Sequence, residues 1–220
     1  MGSSDRFPAA FGNLPQRLLA HLSDWDAAHD VGHVVRVWSH SRVIAEGEGR
    51  LPDRALLAAA LLHDLVALPK DHSERRRASV LSADAARPIL KGEGLSAEEI
   101  DDVCHAIAAH SFSAGIVPLT ETARILRDAD RIEALGAIGI ARTFAVSGAL
   151  GRPLWDADDP FAAVRPLDDA AFGLDHFEVK LLGLADTMLT RTGRRIARAR
   201  TEVMRGYLDN LRAELAPSGL

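Results

Sequence analysis

The chain has 220 residues, a net charge of −5, 47% hydrophobic and 26% charged residues. That length and balance suit one folded domain with a real core and exclude a disordered chain, and the negative charge provides no global basic field for nucleic acid or an acidic membrane. No apolar run reaches the ~18 residues of a membrane span. The opening MGSSDRFPAAFGNLPQ lacks the pattern of a secretory signal, and the single cysteine, Cys104, has no partner for an internal disulfide, so the expected setting is the reducing cytoplasm.

Aromatics make up only 5%, while Ala and Leu abound, which favours helices over sheets. A helix is expected over 33–46, with Val34, Val37, Trp38, Ser41, Ile44 and Ala45 on one face and Gly47 and Gly49 ending it. Pro52 and Asp53 should open a second helix running to Leu65. Its ALLAAALLHDL is apolar nearly all round, the mark of a central buried helix. After a loop with Pro69, a helix is expected over 74–90, stopped around Pro88 or Gly92. Ser96 and Glu99 form a capping-box pattern that opens a helix to His110. Thr120 starts a long helix to about Val146, across Gly136 and Gly139. Residues 148–173, rich in Gly, Pro and Asp, read as a long irregular loop. Two more helices should fill 175–215, the last with an apolar pattern of Ile196, Val203, Tyr207 and Leu211. No period-2 strand pattern is visible. The expectation is an all-α single domain over 1–220, with a metal-binding core at about 20–147, a loop at about 148–174 and C-terminal helices at about 175–215.

Chemistry concentrates on His63-Asp64, at the end of the most apolar helix. An ionised aspartate on the stripe of Leu57, Ala60 and Leu61 is costly unless a cation or good hydrogen bonds compensate it. The alternative is a solvated helix end. His33 starts one expected helix and His63 ends the next; at ~1.5 Å rise per residue the chain climbs about 20 Å and returns nearly as far, so in an antiparallel pair the two ends meet. Two imidazoles and a carboxylate form the mixed N/O set that suits Mn, Fe, Co, Ni or Zn. Asp130 lies on the stripe of Leu126, Ala134, Ala137 and Ile138 and should point inward as a fourth ligand. Asp128 falls beside Arg124 and Arg131 at helical pair spacing, as in a surface ion pair, and is the fallback ligand or a partner supporting one.

The order His, His-Asp, Asp, written in HDVGHVVRVW, LLHDLV and DADRIEALG, resembles the HD superfamily of metal-dependent phosphohydrolases. CHAIAAHSFSAG, LRDADRIEALGAIGIARTFAVSGALG and LDHFEVKLL are similar to its YedJ/YpgQ-like branch, over roughly residues 20–210. The resemblance implies an HD-domain helical bundle with a metal at its centre, and hydrolysis of a phosphate ester or anhydride. The implied substrate is a nucleotide, with pyrophosphate release from a nucleoside triphosphate as one form. One divalent transition metal is expected, Mn first, with Mg, Co, Ni, Fe or Zn as alternatives.

Such chemistry needs positive charge and positioning. Lys70, Arg36 and Arg76 are the substrate-binding candidates, and Arg75 and Arg77 read more simply as a solvated face. His72 is either a general acid or a surface histidine, and Glu74 a weaker candidate for orienting water. His110 lies on the inward stripe of Ile100, Val103 and Ile107, as a contact to substrate or to a ligand. His105 falls off that stripe and should be exposed. His29 and Asp30, one turn before His33, are placed to hydrogen-bond a ligand's far nitrogen, with capping the simpler job for Asp30. His176 and Lys180 either close over the site or pack; His21 and His40 read as surface. Two other classes stay open: a di-iron oxygenase, with His72 and His105 or His110 completing a second site, and a non-catalytic binding module. No nucleic-acid or membrane partner is expected, and the oligomeric state is left open.

Overall fold

The computed structural model describes residues 7–22, 31–68 and 72–216. Among these are eight α-helices and no strand, as the composition requires. The chain divides into two compact units, residues 1–130 and 131–220.

The first unit holds α1 (Leu14–Leu19), α2 (Val31–Gly47), α3 (Arg54–Leu62), α4 (Ala78–Gly92), α5 (Ala97–His110) and most of α6 (Glu121–Ile132). α3 is its centre and packs against α1, α2, α4 and α5. All of its residues from Ala55 to Leu62 are buried. Each fully buried leucine, such as Leu56, Leu57, Leu61 and Leu62, contributes about 1.5–3 kcal/mol. The Asp53 side chain caps it by accepting the Leu56 N–H at 2.8 Å, so the expected start is observed. The end comes at Leu62, with His63 as the cap residue, three residues before the expected stop at Leu65.

α2 buries the expected face, including Trp38, Ser41, Ile44 and Ala45. α4 starts later than expected and ends at Gly92, the second of its two expected stops. A 3-10 turn, Arg75–Arg77, precedes it, and Pro88 sits inside the helix instead of ending it. Both Pro88 and Asp84, whose carbonyl loses its helical donor, are exposed, so the missing bond falls on the solvent side of the helix, where it costs least. α5 opens with the full capping box of Ser96 and Glu99. Thr120 caps α6, accepting the Ala123 N–H at 3.2 Å.

The expected long helix from Thr120 to Val146 is two helices. α6 stops at Ile132 and α7 runs Gly136–Ala149. Gly136 has φ +70°, a conformation open to glycine and costly for a side chain, and a Cβ at Gly139 would stand 2.2 Å from the Ala134 carbonyl oxygen. Those glycines make the corner.

The second unit carries α7 and α8 (Arg191–Leu215), packed together. The expected irregular loop between them is observed and is held by carboxylates in place of helical bonds. Asp159 accepts the N–H groups of Ala163, Val164 and Arg165. Asp175, 1% exposed, receives both ends of the Arg165 guanidinium at 2.6 and 2.8 Å and the Asp168 N–H at 2.7 Å. The first of the two expected C-terminal helices is instead a π turn, Phe177–Leu181, and a 3-10 turn, Leu184–Thr187. On α8 the buried stripe is Ala197, Thr201, Met204, Leu208 and Leu211; of the expected residues it keeps Leu211, while Ile196 and Tyr207 are half-buried and Val203 is 52% exposed. No single helix among the described residues is long and apolar enough to cross a membrane.

Candidate metal centre

α2 and α3 pack as the antiparallel pair that the His33 and His63 positions require. Their imidazole centroids stand 5.3 Å apart, with both side chains essentially buried. The ligand atoms of His33, His63 and Asp64 all lie within 4.8 Å of one another. Asp64 Oδ2 is 3.8 Å from His33 Nε2 and 3.5 Å from His63 Nε2. Asp130, from α6, brings Oδ1 to 3.5 Å from His33 Nε2 and 3.8 Å from His63 Nε2. All four residues belong to the first unit.

His110, at the end of α5, joins them. Its ring is 5.0 Å from that of His63, and its Nε2 is 3.6 Å from Asp64 Oδ1. His63 and His110 are aimed by one device: each Nδ1–H donates to the carbonyl three residues earlier, Ala60 at 2.9 Å and Ile107 at 2.6 Å. That bond sets the tautomer and leaves Nε2 facing the cluster. Sequence reasoning placed His110 inward but at one remove from the ligands. The signal was its stripe on α5, and only the packing of α5 on α3 brings it to Asp64.

The electrostatics are those of a mutually stabilised set, two buried imidazoles against carboxylates that are each 28% exposed. Burial pushes His63 down to about 4, against the pull of Asp64, so the ring is neutral near pH 7 with its lone pair available. Burial acts to raise Asp64, but His63, His110 and His33 together hold it well below the usual carboxylate range. Asp130 is likewise held low: burial opposes, and the hydrogen bond from His33 and the nearby imidazoles outweigh it. For His110, burial lowers and Asp64 raises, and the net direction is up.

Two observations test whether the donors fit a metal ion. The buried His63 Nε2 has no hydrogen-bond partner, an arrangement that normally costs about 1–3 kcal/mol. Among the described residues, neither Asp64 nor Asp130 has a Lys or Arg ion-pair partner. Two carboxylates and the His63 nitrogen therefore have room for a cation, and a divalent ion supplies what both observations miss. The residues fit.

The other candidates lie as follows. Asp128 is fully buried, so it does not lie on the surface where its Arg neighbours suggested. Residues 128 and 130 face roughly opposite sides of α6, and the Asp130 side chain is 28% exposed. His72 and Glu74 are exposed, and the Glu74 N–H donates to His72 Nδ1 at 3.1 Å; Glu74 also pairs with Arg77. Arg76 is exposed on the same turn and Arg36 is half-buried on α2. His105 is half-buried, its Nε2 accepting the Leu119 N–H at 2.9 Å. Lys180 is exposed in the second unit, and His176 Nδ1 bonds Asp169 at 2.8 Å. His21 is exposed and His40 half-buried. Lys70, His29 and Asp30 lie outside the described residues.

Comparison with known proteins agrees with this geometry. Residues 30–135 match the family model described as HD domain, a span that contains all five clustered residues. The Bacillus subtilis protein YpgQ is 32% identical over 199 residues, covering 88% of each chain. The crystal structure of YpgQ in complex with ADP superposes with a TM-score of 0.70, at 32% identity over 94% of each chain. An HD-superfamily hydrolase from Bacillus thuringiensis gives 0.66 at 32% identity, over 92% of this chain and 93% of the other. With its His, His-Asp and Asp elements brought to one buried point, the chain belongs to the HD-domain family of hydrolases, in the branch of YpgQ.

Proposed function

We propose that the chain is a metal-dependent phosphohydrolase of nucleotides that releases pyrophosphate from nucleoside triphosphates. The observation that carries this reading is the convergence of His33, His63, Asp64 and Asp130 around a buried His63 Nε2 that has no hydrogen-bond partner. These four residues would hold one divalent ion, with Mn²⁺ the first choice. When bound, the ion supplies Lewis-acid chemistry, lowering the pKa of water and neutralising charge on a phosphoryl oxygen.

The chain's own residues supply position and protons. The Ala60 carbonyl fixes the His63 ring, and His110 stands behind Asp64. Arg76, on the exposed turn Arg75–Arg77, is offered to phosphate oxygens. His72 accepts a backbone N–H at Nδ1, so its neutral ring carries the proton on Nε2, the atom from which it would protonate a leaving oxygen. That a YpgQ structure holds ADP supports a nucleotide as the ligand.

The test is to strip the purified protein of metal, restore Mn²⁺, and assay a nucleotide panel for phosphate and pyrophosphate separately, with Asp64→Ala as control. Metal-dependent pyrophosphate release that the variant loses is the expected result. Equal inactivity of both proteins on every nucleotide would remove the nucleotide reading. His110 adds a fifth donor to the cluster, which favours a two-metal site as the second reading; two irons per chain on metal counting would select an oxygenase instead.

A further inference from the structure

Phe112 opens the 3-10 turn Phe112–Ala114, two residues after His110. Its side chain is 83% exposed. A single exposed phenylalanine needs no explanation by itself; its position supplies one. Two residues of chain span at most ~7 Å, so the Phe112 backbone lies within that distance of His110, whose Nε2 stands 3.6 Å from Asp64 Oδ1. Ser111, between them, is extended, with φ −75° and ψ 130°, so the chain leaves the end of α5 directly after His110.

The turn Phe112–Ala114 packs against Arg75–Arg77. Arg75 and Arg76 are exposed and have no ion pair among the described residues. The segment that follows His110 thus joins an exposed aromatic ring to exposed guanidinium groups. A ligand that matches both has a flat π-system covalently joined to phosphates, which is a nucleotide.

We propose that Phe112 is the platform on which the base stacks while the phosphates occupy the metal centre. This rests on the nucleotide reading above and adds how the base is held. A phenyl ring carries no donor or acceptor, so it reads the face of a base and not its edge. Every base has such a face, and discrimination among bases is correspondingly weak. Purines, with the larger face, gain more than pyrimidines.

The test uses the full chain with Mn²⁺ and compares Phe112→Ala, Phe112→Leu and Phe112→Trp on a nucleoside triphosphate and on inorganic tripolyphosphate, which has no base. Phe112→Ala should raise KM for the nucleotide about tenfold or more, with kcat within about twofold, and leave tripolyphosphate kinetics unchanged. Phe112→Trp should restore nucleotide KM, and Phe112→Leu should not. An equal loss on tripolyphosphate, a leucine as good as phenylalanine, or no loss in alanine would each overturn the proposal. If the wild type hydrolyses neither compound, the functional reading fails separately. Equilibrium dialysis with ADP then decides: about tenfold weaker binding by Phe112→Ala upholds the platform, and undiminished binding overturns it.

Discussion

Removing one charge from the centre should remove the stabilisation that a bound ion gives. Asp64→Asn keeps the size and one oxygen of the side chain but removes the carboxylate that lies 3.5 and 3.8 Å from the two imidazole nitrogens. An ion present at ~100 times its dissociation constant adds about 2.7 kcal/mol to the folded state. At roughly 3 °C per kcal/mol for a chain of this size, the wild-type transition rises by about 8 °C. Scanning calorimetry of metal-free protein, with and without excess Mn²⁺, measures this, read on the transition of the unit that contains the site. Asp64→Asn should shift by less than about 2 °C, because a neutral amide is a poor ligand and one carboxylate remains for a divalent charge. His21→Ala, an exposed histidine outside the cluster, should keep the full shift. A full shift in Asp64→Asn, or its loss in His21→Ala, would refute the assignment of the ligands.

The metal-free protein should also lose stability on mild acidification. His63 is lowered from 6.5 to about 4, so its contribution is fully present above pH 6.5 and is lost as pH falls towards 4. At about 1.4 kcal/mol per pH unit, the loss is roughly 2–3 kcal/mol between pH 6.5 and 4.5. His110, shifted upward, contributes with the opposite sign and offsets part of it. Urea midpoints of His63→Gln should therefore fall less over this window than those of the wild type; an equal or steeper fall would contradict the burial argument. Asp53→Ala removes the cap of α3 and should cost about 1 kcal/mol in urea denaturation, while Gly139→Ala, with its Cβ 2.2 Å from a backbone oxygen, should cost about 3 kcal/mol or more. Asp175→Ala leaves the Arg165 guanidinium without its bidentate partner at a 1%-exposed position and should destabilise by about 3 kcal/mol; a change under 1 kcal/mol would show that the loop does not depend on that pair.

Much of this was legible in the residues because it is local. The all-apolar α3, the Asp53 cap, the Ser96 capping box and the absence of strands among the described residues follow from composition, periodicity and side chains that bond backbone three residues away. The meeting of His33 with His63 was also legible, since the climb expected over 33–46 and the return expected over 53–65 are nearly equal. Tertiary packing decided the rest. Pro88 sits within α4 on its exposed side, where the lost bond costs least. The α8 stripe falls on Met204 and Leu208 and leaves Val203 exposed, because a contact surface, not hydropathy, selects which face is buried. Asp128 is buried on a helix whose pattern shows one inward face, since a second covered face leaves no period in the sequence. His110 reaches Asp64 only because α5 lies against α3, a contact between residues 46 positions apart that neither helix encodes alone.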